Sequence, residues 1–137
     1  MTKFLQAATY SDMLAPLTAV TTARTAALDC AGADYATIIV HLGIEKNTDS
    51  TNVVLTVDEG NDTNTFTTFD SNLNSITVDN VAAAIAVRHI DLKGRKRYLR
   101  LTVTPDTTTN GDVLFDATGI LSSERKLATV GTNVVVG

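Results

Sequence analysis

The sequence is poor in the residues that build most small-protein sites. It has one cysteine, two prolines, two histidines and no tryptophan in 137 residues. A single cysteine, Cys30, excludes an intramolecular disulfide framework and a multi-cysteine zinc site. Charged residues make up 19% and hydrophobic residues 44% of the chain, too few charges and too much apolar surface for a disordered polyelectrolyte. The longest apolar stretches, 81–87 and 38–40, fall far short of the ~20 residues of a membrane-spanning helix. At the N-terminus one lysine is followed by a sequence without the apolar stretch of a secretory signal. The expectation is a chain made in a cytoplasm-like compartment, with no membrane partner. Neither a dinucleotide-binding G-x-G-x-x-G nor a phosphate-binding G-x-x-x-x-G-K pattern occurs.

Threonine is the commonest residue, with 23 copies, and valine contributes 14 against only three glutamates and five lysines. β-Branched residues pack well on a pleated surface and fit helices less well, so the composition points to strands. The length suits one domain with a core of its own. Period-2 alternation carries most of the chain. It is clearest over 34–44, where Ala36, Ile38, Val40, Leu42 and Ile44 share one face and Tyr35, Thr37, Ile39 and His41 the other. Further strands are predicted over 22–29, 53–57, 63–69, 75–78, 85–91, 97–104 and 112–121. A hairpin turning at Lys93-Gly94 is expected between 85–91 and 97–104, with Leu99, Leu101 and Val103 inward. The prediction is an all-β fold: an antiparallel two-sheet sandwich, jelly-roll-like, with about eight strands and an extended N-terminal arm. A closed barrel is the alternative. The expected division is an arm over 1–21, the sandwich over 22–121 and a C-terminal tail over 122–137, whose Val134, Val135 and Val136 need a sheet edge to pair with.

The net charge of −4 is unevenly distributed. Six bases, Arg88, Lys93, Arg95, Lys96, Arg97 and Arg100, lie within thirteen residues opposed only by Asp91, a local +5 that leaves −9 on the rest of the chain. Such a cluster projects a positive potential suited to an acidic protein surface. The plainer explanation is a solvated turn whose cations blunt a sheet edge. Nucleic acid is not expected as a partner, because the acidic body opposes it and Tyr98 is the only interleaved aromatic.

Candidate chemistry is sparse. Nucleophilic catalysis needs a nucleophile, a base and an orienting group held together. The bases available are His41, mid-strand, and His89, just before the basic turn; both read as surface or packed histidines. Cys30 lacks a neighbouring base to make a thiolate and reads as a small buried apolar group. Asp58, Glu59, Asn61, Asp62 and Asn64 around Gly60 offer oxygen ligands, but the spacing lacks the closing glutamate of a calcium loop and suits a turn. The loop over 106–112 reads the same way. No catalytic residue, metal ligand or cofactor is expected.

The run from His89 to Val103, HIDLKGRKRYLRLTV, resembles a short D-L-x-G-x-x-R-Y-[LV]-R segment in small head proteins of tailed bacteriophages, the capsid decoration or cement proteins. The strands over 25–29 and 35–42, split by Ala31-Gly32-Ala33, are similar to the early part of the same proteins. The resemblance covers about 22–121 of the chain. It implies a structural virion protein, with a jelly-roll-like fold and no enzymatic activity, that binds the capsid exterior and bridges neighbouring capsomers after assembly in the host cytoplasm. The implied partners are the major capsid protein and the protein itself, as a trimer or dimer. Contact is expected through Lys93, Arg95, Lys96, Arg97 and Arg100 and through the termini, at Phe4, Leu5, Val134, Val135 and Val136. A neck or tail component of the same β class, or a sandwich module binding carbohydrate or a host surface, are the alternatives.

Overall fold

The computed structural model describes residues 8–20, 22–46, 51–70, 75–78, 84–105, 112–123 and 133–136. They form ten strands: β1 (Ala8–Val20), β2 (Arg24–Asp29), β3 (Tyr35–Lys46), β4 (Thr51–Gly60), β5 (Thr67–Asp70), β6 (Ser75–Val78), β7 (Ala84–Asp91), β8 (Tyr98–Pro105), β9 (Asp112–Ser122) and β10 (Asn133–Val136). All pairings are antiparallel. One sheet has the order β1-β9-β3-β7-β10; the other runs β2-β8-β4-β5, with β6 also on β4. β6 pairs the first half of β4 and β5 the second, so the two together make one interrupted edge arm. Counted that way, and with β10 set aside as an addition to the β7 edge, two four-stranded sheets remain. From β1 to β4 and again from β6 to β9 the chain changes sheet at every connection. This is the double Greek key of a jelly roll, the predicted fold.

Alternation builds the core. The inward residues Ala36, Ile38, Val40 and Leu42 of β3 face Val53, Leu55 and Val57 of β4 and Leu99, Leu101 and Val103 of β8, all buried. Phe115 and Ala117 of β9 and Ala84, Ala86 and Ile90 of β7 complete the layer. Alanines on the inner faces of β3, β7 and β9 leave room for the larger side chains opposite them. The same parity carries Arg88 inward between Ala86 and Ile90, where it is 8% exposed. Burial lowers its guanidinium below its ordinary pKa, because the charged form is desolvated. Arg88 therefore belongs to the interior and not to an exposed basic cluster.

One expectation is corrected. The segments 85–91 and 97–104 do not form a hairpin, because β7 lies in one sheet and β8 in the other. Residues 92–97 arch across the end of the sandwich, a gap of about 10 Å between packed sheets. Leu92 is buried beneath the arch, and Arg95 N–H donates to Leu92 C=O at 3.0 Å. Gly94 takes φ 76° to close that turn, a backbone region that costs other residues a steric penalty. Inward parity is preserved when a chain crosses between two facing sheets, so alternation reads the same for an arch as for a hairpin.

The segment expected as an N-terminal arm is extended from Ala8 and hydrogen-bonded along β9. Residues 1–7, with Phe4 and Leu5, lie outside the described residues. The C-terminal valines find their edge: Val134, Val135 and Val136 pair Val87, Ala86 and Ile85 of β7.

Candidate interaction surfaces

Two arches close one end of the sandwich side by side, residues 30–34 between β2 and β3 and residues 92–97 between β7 and β8. They brace each other. Cys30 N–H donates to Arg97 C=O and Leu92 N–H to Asp34 C=O, each at 2.9 Å, while Asp34 N–H donates to Ser122 C=O at 3.0 Å. Cys30 is buried between them, and its burial pushes the thiol up to about 11.

The basic residues of the sequence gather here, and most meet an acid. Arg97 forms a bidentate fork with Asp29, Nε to Oδ1 at 2.9 Å and Nη2 to Oδ2 at 2.7 Å. This hydrogen bonding, helped by the Ala31 N–H, holds the Asp29 carboxyl down at about 2 and raises Arg97 further above its usual value. Arg100 donates from Nη2 to Asp58 Oδ2 at 2.6 Å, and its guanidinium lies 4.4 Å from the centroid of the Phe66 ring. Lys96 donates its backbone N–H to Glu59 Oε2 and its ammonium to Thr67 Oγ1. Arg95 Nη1 lies 3.7 Å from the same Glu59 carboxylate. Lys93, exposed at the arch, has its N–H held by Asp91 Oδ1. The five cations Lys93, Arg95, Lys96, Arg97 and Arg100 thus stand among four carboxylates, and the local field is much weaker than the +5 of the linear sequence.

The acidic residues that resemble calcium ligands are committed elsewhere. Asp58 and Glu59 serve the cations, and Asp62 Oδ1 accepts from Asn64 N–H at 2.8 Å and Thr65 N–H at 2.7 Å. Those two N–H donors lower the Asp62 carboxyl. Among the described residues, no three His, Cys, Asp or Glu side chains are grouped to hold a metal ion. The loop over 106–111 lies outside the described residues.

Both histidines sit on the outer face of the β1-β9-β3-β7-β10 sheet. His41 Nδ1 donates to Asp116 Oδ1 at 2.7 Å, and His89 Nδ1 lies 3.0 Å from Thr37 Oγ1. Each pair is directly opposite across neighbouring strands, the cross-strand analogue of a helical i, i+4 contact. Sequence reading missed both pairs, because pairing register between distant strands is not written in either strand alone. Arg88 was legible: it shares the parity of Ala84, Ala86 and Ile90. An open depression of about 410 Å³ at the arch end is lined by Ala33, Asp34, Tyr35, Asp91, Leu92 and Lys93.

No protein-family model and no curated protein sequence matches the chain. Solved structures do resemble it. A chain of infectious bursal disease virus, Gx strain, superposes with a TM-score of 0.54 at 8% identity, over 93% of this chain and 36% of its own. A protein of Bacillus endospore appendages, described as disulfide-linked pili, gives 0.44 at 15% identity, over 85% and 88% of the two chains. The CBM22-1 xylan-binding domain of Paenibacillus barcinonensis Xyn10C gives 0.48 at 10% identity, over 88% of each chain. The viral likeness is one of fold; the other two are too distant to add to it.

Proposed function

We propose that this chain is a structural protein acting by contact: a decoration protein on the exterior of a tailed-bacteriophage capsid, stabilising it by bridging neighbouring capsomers. The observation behind this reading is the double Greek key sandwich with its charges spent internally. Asp29 binds Arg97, Asp58 binds Arg100 and Glu59 lies beside Arg95, and what the fold offers outward is broad sheet surface. Support comes also from the resemblance of the segment 89–103 to phage head proteins and from a fold shared with a chain of a virus. The partners in this reading are the major capsid protein and further copies of the chain. Lys93 and Arg95 are exposed at the tip of the arch, placed to meet an acidic shell.

The test is co-sedimentation of the purified chain with expanded phage heads, read beside the temperature at which heads with and without it burst. Saturable binding at hundreds of copies and a raised bursting temperature are expected. Failure to bind at any stoichiometry overturns the reading. One ring of copies per particle assigns the chain to a neck or tail, and a clear hit on a glycan array assigns it to carbohydrate binding.

A further inference from the structure

We propose that the outer face of the β1-β9-β3-β7-β10 sheet is a self-association surface, covered by a second copy of this chain. The two outer faces of the sandwich differ in kind. Outward positions of the β2-β8-β4 sheet carry Thr25, Thr56, Thr102, Thr104 and the Arg100–Asp58 pair; its aromatic side chains Tyr98 and Phe66 lie against Arg97 and Arg100, and Val54 is an exposed aliphatic residue. Outward positions of the other sheet carry Ile39, Ile85, Val87, Leu114, Ile120 and Tyr10. The outer face of an antiparallel sheet is ordinarily polar. Here Tyr10 is 51% exposed and Ile85 and Leu114 are each 37% exposed.

Register makes the patch continuous. Ile39 is paired with Val87 on one side and Thr118 on the other, and Ile120 lies between Tyr10 and Thr37. A contiguous apolar patch of this kind marks an interaction site, whereas scattered apolar residues do not. Four of its polar members are paired across strands, His41 with Asp116 and Thr37 with His89. Each enters the interface with one hydrogen bond already made, which lowers the penalty for burying it.

Size and charge select a second copy as the occupant. Four strands about 4.8 Å apart over about nine residues at about 3.3 Å each, with the four residues of β10 beside them, give a face of about 600 Å² in projection. Side-chain relief raises the accessible area towards the about 800 Å² per partner of a stable complex. Among the residues whose side chains are described, no lysine or arginine points outward from this face, so an anionic partner finds no cation there. Asp12 on edge strand β1 and Asp91 at the end of β7 sit at the rim, where both stay in water. Two such faces pack as the two sheets pack inside the sandwich, about a twofold axis.

The inference gives the homo-oligomer of the proposed function its contact face, and it is tested without any capsid. Sedimentation equilibrium of the full chain is expected to show two or more chains per particle at micromolar concentration. Ile85→Glu and Leu114→Glu should each weaken association by about tenfold or more, while Ala27→Glu on the opposite face leaves it unchanged. Circular dichroism checks that each variant is folded, and Tyr10→Glu at the most exposed position serves as a further variant. A wild-type monomer throughout the concentration range, or folded face variants that associate like wild type, overturns the inference. A monomer that binds heads overturns this proposal and leaves the capsid reading; an oligomer that never binds heads does the reverse.

Discussion

Arg100 and Asp58 face each other directly across β8 and β4, with Arg100 Nη2 2.6 Å from Asp58 Oδ2. The pair is half withdrawn from water: the Asp58 side chain is 10% exposed and that of Arg100 35%. Phe66, arriving from the β4–β5 turn, lies against the guanidinium. A residue that reads as part of a docking patch in the sequence is therefore a tie between two strands of one sheet. The same holds for Arg97, which joins the 92–97 arch to the end of β2 through Asp29. Much of the basic cluster locks the closed end of the sandwich.

Removing one partner should show this. Asp58→Ala leaves a half-buried guanidinium facing Phe66 without its carboxylate and is expected to cost about 1–2 kcal/mol, above the range of exposed pairs and below that of fully buried ones. A double-mutant cycle with Arg100→Ala, followed by urea unfolding, should give a coupling of about 1 kcal/mol. A coupling near zero would mean that the contact contributes no more than an ordinary surface pair.

Asp29 supplies a pH dependence. Its folded carboxyl is held near 2 against an ordinary value of 3.8, chiefly by Arg97. A depressed folded pKa contributes stability that is present above the unfolded value and is lost as pH falls through the folded one. The contribution should therefore fade between about pH 4 and pH 2. NMR titration of the Asp29 carboxyl checks this directly, and in Arg97→Ala the midpoint should move back towards the ordinary value. An unmoved midpoint would assign the depression to the Ala31 N–H alone.

How much of this was legible depended on range. Alternation within a strand is local, so β3, β7, β8 and β9 and their inward residues could be read from sequence, and Arg88 could have been. Sheet membership is not local. An arch and a hairpin both need a short polar segment with a glycine, and Lys93-Gly94 serves either. The cross-strand pairs were beyond reach for the same reason: Asp58 and Arg100 are 42 residues apart, and His41 and Asp116 are 75 apart. The charge map was correct as a linear count and misleading as a surface, because folding brings Asp29, Asp58 and Glu59 to the bases.

Gly60 is where the β4–β5 turn leaves no room for a side chain. A Cβ there would collide with the Thr65 carbonyl oxygen and come within 3.1 Å of the Phe66 ring. Its backbone oxygen neighbour cannot swing aside as a flexible side chain would, so Gly60→Ala should destabilise by about 1–3 kcal/mol. Because the shift would be passed to Phe66 and from there to Arg100, the loss should shrink in an Arg100→Ala background. Urea midpoints of the two single variants and the double variant measure it, and strict additivity would argue against the transmission.

Cys30 tests the bracing of the two arches. Cys30 is 6% exposed, in the core cluster between arches that hydrogen-bond across it. With its pKa raised to about 11, little thiolate exists at neutral pH, and access requires the arches to part. Labelling by a thiol-specific disulfide reagent should be slow in native buffer and fast in denaturing urea. Its native rate should follow opening of this end of the sandwich, since local opening can cost less than global unfolding. Arg97→Ala removes the fork between the arch and β2 and should accelerate labelling, whereas Thr25→Ser, outward near the far end of β2, should not. Fast labelling of the wild type would mean that this end of the sandwich is open in solution.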